Sequence, residues 1–253
     1  MLRRILAADL GNTTVTFGRF VRGQVKEVRS MSTLDLSTDA ILDLLSDWND
    51  LEYGVYCSVV PHLRSELERA LYQLTGRTPL ELVYGDQIPF RIHYANPVQL
   101  GTDRLAHAFY VRRTVKQNAV VIDIGTAATV DFILGTGEFL GGAILPGPET
   151  ALEALARRAR QLHRFQWQRL EGFVGHSPEE AMEIGLLRGL EGALLYLVEQ
   201  GERELGLRFP VRLVTGGLAD LIHLPGFQPL PFLTLHGLKD YLEEYTETYR
   251  VPE

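Results

Sequence analysis

The chain has 253 residues and a formal net charge of −7, with 45% hydrophobic and 23% charged residues. That balance fits a folded protein of one large or two ordinary domains, and scattered Arg in an acidic chain excludes nucleic acid as its main partner. No apolar run approaches the roughly 20 residues of a membrane-spanning helix, and the single cysteine, Cys57, excludes an internal disulfide or a cysteine metal cluster.

In chain order, Met1-Leu2-Arg3-Arg4-Ile5-Leu6-Ala7-Ala8 resembles a signal-peptide opening, but Asp9 interrupts it early and it reads as a first strand. Val15 to Phe20 and Gln24 to Ser30 extend it into an antiparallel meander around Val21-Arg22-Gly23. Ile41, Leu44, Leu45 and Trp48 fall at helical spacing over Asp39 to Trp48, with Ser37 or Thr38 as N-cap. A strand at Tyr53 to Val60 follows and contains Cys57, read as a buried cysteine. Then come a helix opened by Pro61 and carrying Leu63, Leu67, Ala70, Leu71 and Leu74, and a short strand at Leu80 to Tyr84.

The stretch from Arg91 to Arg104 has few periodic features, its Tyr94-Ala95-Asn96-Pro97 reads as a loop, and Leu105, Ala108, Phe109 and Arg112 predict a helix to about Val115 with Asp103 and Arg104 in its first turn. A second meander follows: Ala119 to Asp123, Thr129 to Leu134, a turn at Gly135-Thr136-Gly137, and Phe139 to Leu145. Helices are expected at Glu149 to Arg160, Ser177 to Gln200 and Leu238 to Tyr249, with a strand at Val211 to Thr215. Each half thus reads as a meander followed by alternating helices and strands, an α/β fold with a domain over 1–117 and another over 118–253 and a ligand cleft between them.

The same turn occurs in both halves: Asp9-Leu10-Gly11-Asn12-Thr13-Thr14 and Asp123-Ile124-Gly125-Thr126-Ala127. One Asp-x-Gly after a strand is usually only a turn. A matched pair with hydroxyls beside it suits phosphate, since Gly lets backbone N–H groups approach oxygens and Asp can hold a metal ion through water. A third acid, Asp103 in Gly101-Thr102-Asp103-Arg104, can be a helix cap, but a carboxylate beside a guanidinium also suits deprotonating a hydroxyl while gripping an anion. The seven histidines show no metal-ligand spacing, Trp48 and Trp167 read as core or interface residues, and Glu243-Glu244 reads as a solvated helix face. The Leu-rich stretch Leu186 to Leu197 suits either a subunit contact or an internal core.

These motifs, together with Asn96-Pro97-x-x-Leu100-Gly101-Thr102-Asp103-Arg104, Gly141-Gly142-Ala143-Ile144-Leu145-Pro146-Gly147 and Thr215-Gly216-Gly217, stand in the order and spacing of the type III pantothenate kinases. The chain resembles that family over essentially its whole length; the Asp-x-Gly turns alone would fit the wider actin, Hsp70 and sugar-kinase superfamily. The resemblance implies two related actin-like (ribonuclease H-like) domains, ATP in the interdomain cleft, and transfer of the γ-phosphoryl group to pantothenate, the first step of coenzyme A synthesis. It implies a first phosphate loop from Asp9 to Thr16, with Gly11, Asn12, Thr13, Thr14 and Thr16 as its binding residues, and Asp9 placing Mg²⁺ through water. Asp103 would accept the proton, with Tyr94, Gly101, Thr102 and Arg104 on the pantothenate. Asp123 would hold a monovalent cation, K⁺ or NH₄⁺, Thr126 would contact phosphates, and Gly216 and Gly217 would approach the adenosine. A cytoplasmic homodimer is also implied.

Two positions depart from the family. Gly175-His176-Ser177-Pro178 puts Pro178 where the family has a substrate-contacting Thr, leaving Ser177 as the candidate replacement, although Ser177, Pro178 and Glu180 also fit a capping box. Leu162-His163 replaces a Leu-Pro. The alternatives are a non-catalytic accessory relative and a kinase of another small hydroxylated substrate; fold analogy alone would not exclude a phosphatase.

Overall fold

The computed structural model describes residues 2–159 and 162–249. The chain divides into two units, one of residues 1–116, 136–138 and 233–253, the other of 117–135 and 139–232.

In the first unit β1 (Arg4–Leu10), β2 (Thr14–Val21) and β3 (Gln24–Ser32) form an antiparallel meander, and β4 (Tyr53–Ser58) and β5 (Leu80–Glu81) add in parallel. The sheet order is β3-β2-β1-β4-β5. Alternation sends Leu6, Ala8, Leu10, Val15, Phe17 and Tyr56 to one face, where they are buried with Ile41 and Leu45 from around α1 (Thr38–Leu44) and Leu67, Ala70 and Leu71 of α2 (Arg64–Thr75). Each large aliphatic or aromatic side chain buried there contributes about 1.5–3 kcal/mol. Ser37 caps α1 by accepting the Ala40 N–H at 3.2 Å, and Gly76, at φ 70°, ends α2. The α1 helix stops short of the expected Trp48, yet Trp48 stays buried, its Nε1 donating to Glu27 Oε2 at 3.0 Å.

α3 (Thr102–Tyr110) continues into a wider π-helical turn, Val111–Val115, and packs against α6 (Leu233–Tyr249), which also contacts β1, β2 and β4. At their crossing a Cβ on Gly237 would stand 2.0 Å from the Ala106 carbonyl oxygen, so alanine there would force the helices apart. The sequence reading placed 118–253 wholly in the second domain and began the last helix at Leu238. Instead α6 starts five residues earlier and belongs to the first unit. The acids Glu243 and Glu244 are likewise not a solvated face: Glu243 is buried beside Lys239, and Glu244 Oε1 accepts from Arg112 Nε at 3.0 Å.

The second unit repeats the scheme. β6 (Ala119–Ile124), β7 (Ala127–Ile133) and β8 (Phe139–Pro146) form the meander, β9 (Val211–Thr215) and β10 (Gln228–Pro229) add in parallel, and the order is β8-β7-β6-β9-β10. β7, like β2, carries one register shift. Val120, Ile122, Ile124, Ala128 and Val130 share a core with Leu187, Leu190, Leu194 and Val198 of α5 (Pro178–Leu205). The Leu-rich stretch of α5 therefore supplies an internal core, while Ala181, Gly185, Gly189, Gly192 and Tyr196 lie exposed on its other side. α4 (Pro148–Arg158) contacts α5 and β7; the expected end of this helix at Arg160 lies outside the described residues. Among the described residues no helix is long and apolar enough to cross a membrane.

Candidate functional site

The first unit brings two of the three acids to neighbouring positions. Asp9, next to last in β1, stands opposite Thr16 of β2 and beside Cys57 of β4. Cys57 is buried and its Sγ donates to Asp9 Oδ1 at 3.4 Å. Burial first, and then the carboxylates of Asp9 and Asp103, push this thiol well above its ordinary pKa. Asp9 hydrogen-bonds this sulfur directly, and the charge of Asp103 is near enough to act on it. Sequence reasoning read Cys57 only as a buried filler, because its place beside Asp9 is set by strand register.

The turn after Asp9 is held from beneath. Gly11 N–H donates to the Thr14 carbonyl at 3.1 Å, Thr33 Oγ1 donates to the Gly11 carbonyl at 2.8 Å, and Thr33 N–H donates to the Thr13 carbonyl at 3.0 Å. Carbonyl oxygens that would repel an anion are thus engaged, and Asn12, Thr13 and Thr14 stand exposed. Thr33 escaped the sequence reading, since nothing local marks it.

Asp103 sits in the first turn of α3, whose start is fixed to the end of β4 by Thr102 Oγ1 donating to the Ser58 carbonyl at 3.3 Å. Asp103 Oδ1 folds back to accept the Arg104 N–H at 2.8 Å. A Cβ at position 101 would lie 2.4 Å from that oxygen, which is why Gly precedes it. Arg104 is buried at 5% exposure, and its Nη1 donates to the Tyr94 hydroxyl at 2.9 Å, with the guanidinium carbon 5.9 Å from the Tyr94 ring centre. A buried guanidinium oriented by a phenol, one residue from a half-buried carboxylate, can bind an anionic substrate beside a proton acceptor. Tyr94, Gly101, Thr102, Asp103 and Arg104 thus form one local group.

The second unit carries the other turn. Gly125 N–H donates to the Ala127 carbonyl at 2.9 Å, and the Thr126 carbonyl accepts from Gly147 N–H at 3.0 Å and Thr150 Oγ1 at 2.6 Å. A Cβ on Gly147 would stand 1.9 Å from the Gly125 oxygen, so the start of α4 presses directly on this turn. An anion at the turn would meet the positive end of that helix. The close approach of Gly147 to this turn explains the glycine at that position of the motif. Asp123 lies beside Thr215 and Gly216, the latter at φ 101°, whereas a Cβ on Gly217 would meet nothing within 4 Å.

Ser177 and Pro178 also lie in the second unit, where they begin α5: Ser177 Oγ accepts the Glu180 N–H at 3.2 Å, Glu180 Oε2 accepts the His176 N–H at 2.7 Å, and Pro178 is the first helical residue. The capping reading accounts for both residues. Among the described residues no three His, Cys, Asp or Glu cluster as a metal cage.

Comparison with known proteins agrees with these motifs. The type III pantothenate kinase family model matches residues 5–200. The type III pantothenate kinase of Moorella thermoacetica is 33% identical over 255 residues, spanning 96% of this chain and all of that one. The type III pantothenate kinase 1 of Symbiobacterium thermophilum is also 33% identical, over 93% and 94% of the two chains. Among solved structures, a conserved putative Baf family transcriptional activator from Campylobacter jejuni superposes with a TM-score of 0.62 at 21% identity, over 96% of this chain and 99% of that one. The (R)-2-hydroxyglutaryl-CoA dehydratase component A of Acidaminococcus fermentans gives 0.57 at 10% identity, over 96% and 99%. MreB5 of Spiroplasma citri bound to ADP gives 0.50 at 12%, over 97% of each chain. The structural likenesses establish the actin-like ATPase fold, and the family model and full-length relatives establish that this chain belongs to the type III pantothenate kinase family.

Proposed function

We propose that this protein phosphorylates pantothenate with ATP, and that Asp103 accepts the proton of the attacking hydroxyl. The observation that carries the assignment is the Gly101–Arg104 turn, where a carboxylate folded over a bare glycine stands next to a buried, Tyr94-bound guanidinium. Pantothenate is a carboxylate with a terminal hydroxyl. Arg104 meets its negative charge or orients the polar chain along Tyr94, and Asp103 holds the hydroxyl for in-line attack. Phosphoryl transfer asks a protein mainly for such positioning and for charge neutralisation.

The turns at Asp9 and Asp123 are assigned to phosphates, through Gly11, Asn12, Thr13, Thr14 and Thr16 in the first unit and Thr126 in the second. Gly216 and Gly217 are assigned to the adenosine. Mg²⁺ keeps most of its waters and binds proteins through one or two carboxylates, so the single carboxylate of Asp9 fits it. When bound, Mg²⁺ neutralises the phosphate oxygens. Asp123, one carboxylate flanked by threonines, fits a monovalent cation such as K⁺ or NH₄⁺. Ser177 and Pro178, occupied in starting α5, are the weakest members of the substrate set. A homodimer is proposed on the exposed small-residue face of α5.

The test is ADP release with ATP, Mg²⁺ and K⁺, with and without pantothenate. Release that depends on pantothenate supports the assignment. ATP binding without such release would instead favour an accessory relative of the same fold.

A further inference from the structure

We propose that the hydroxyl oxygen of Thr129 is a second protein ligand for the monovalent cation assigned to Asp123, a proposal that rests on that assignment. In the β6–β7 ladder Asp123 stands directly opposite Thr129, and in the β6–β9 ladder it stands beside Thr215. Opposed residues on adjacent antiparallel strands project to the same face with Cβ atoms about 4.5–5.5 Å apart, within bridging distance of one ion. Thr129 is 9% exposed, and its Oγ1 is sealed from solvent with no hydrogen-bond partner. A buried hydroxyl left so costs about 1–3 kcal/mol, so it calls for an occupant.

In the first unit the hydroxyl at the position of Thr129 has a hydrogen-bond partner. There the corresponding row is Thr16, Asp9 and Cys57. Thr16 Oγ1 accepts from Ser30 Oγ at 3.2 Å, and Cys57 Sγ donates to Asp9. In the second unit the strand position facing Thr129 from β8 is Ile144, which offers no hydrogen bond, and the cysteine position is Thr215, 3% exposed. The two rows share a layout and differ in chemistry. One row ends in a thiol, and the other places a hydroxyl oxygen on each side of its carboxylate. A hydroxyl oxygen carries lone pairs for a hard cation without adding charge. Within this row one negative charge stands among neutral oxygens, which matches a monovalent ion better than a divalent one; the buried Asp131 lies one pleat away, opposite Val121.

The experiment uses the full chain with KCl titrated against choline chloride at constant ionic strength. Thermal melting is followed with ATP but no pantothenate, and pantothenate-dependent ADP release is followed separately. Thr129→Val removes the oxygen at nearly constant shape, Thr129→Ser keeps it, and Asp123→Asn removes the carboxylate. The expected result is a K⁺-specific rise in Tm for wild type and Thr129→Ser. In Thr129→Val the half-effective K⁺ concentration should rise at least tenfold in both assays. Equal K⁺ dependence of Thr129→Val and wild type, with the response lost in Asp123→Asn, would overturn the role of Thr129 and leave the Asp123 assignment standing. Thr129→Ser behaving worse than Thr129→Val would also overturn it, since that order reports methyl packing. No K⁺-specific response in wild type would remove the Asp123 assignment and this proposal with it.

Discussion

Asp123 Oδ1 lies 2.4 Å from where a Cβ on Gly216 would stand, and the Ile124 carbonyl oxygen lies 2.3 Å from the same point. The backbone at Gly216 also has φ 101°, a region side-chain-bearing residues rarely adopt. Gly216→Ala therefore collides and is strained, with a cost of about 1–3 kcal/mol for the backbone alone. Gly217→Ala meets open space and should stay within about 0.5 kcal/mol of wild type. Urea melts of the two variants check this, and equal stability would remove the special role of position 216.

Asp103→Asn keeps the shape of the Gly101–Arg104 turn and removes the proton acceptor. The expected loss in kcat is roughly 10²–10⁴-fold, the usual contribution of a general base, with the KM for ATP little changed. Steady-state kinetics at saturating ATP measure it. Near-normal turnover would move the base elsewhere.

Tyr94→Phe deletes the 2.9 Å hydrogen bond to buried Arg104 while keeping the ring over which the guanidinium lies. A hydrogen bond to a charged group contributes about 1.5–3 kcal/mol. If Arg104 grips pantothenate, a disoriented guanidinium should raise the KM for pantothenate roughly tenfold or more, by the same estimate, with a smaller change in kcat. A change confined to the KM for ATP would contradict the placement of Tyr94 and Arg104.

Much of this was legible in the sequence because it is local. Asp-x-Gly after an apolar run encodes a hairpin turn, Ser-Pro-x-Glu encodes a helix start, and both stand where expected, at Gly11, Gly125 and Ser177. What escaped depends on contacts between distant segments. The docking of α6 turns on Gly237 meeting the Ala106 carbonyl, and Glu244 finds Arg112 only after that docking. The neighbours of the acids, Cys57 beside Asp9 and Thr129 opposite Asp123, follow from strand register. A strand pattern reveals which residues are buried, but its partner decides which ones meet.

His236 gives the fold an acid sensitivity. Burial, then the Lys239 ammonium, lower its pKa, and its ring packs edge-on to Phe20 with centroids 5.4 Å apart. A lowered pKa means the unfolded chain binds the proton more readily. This contribution to stability is therefore present above the unfolded value near 6.5 and is lost as pH falls through the folded one. Urea melts at pH 7.5 and 5.5 should show wild type losing more stability than His236→Gln across that interval. Parallel losses would assign the acid sensitivity to other groups.

The exposed face of α5 offers a test of the proposed dimer. Gly185 and Gly189 lie mid-helix with nothing within 4 Å of a built Cβ. On a solvent-facing helix, Gly→Ala stabilises by about 0.5–1 kcal/mol, because alanine loses less backbone freedom on folding. At a close subunit contact the added methyl groups would hold two copies apart. The double variant Gly185→Ala, Gly189→Ala should therefore dissociate more readily than wild type, as read by light scattering over a dilution series. A more stable protein with unchanged mass at every concentration would place the dimer contact on a different surface.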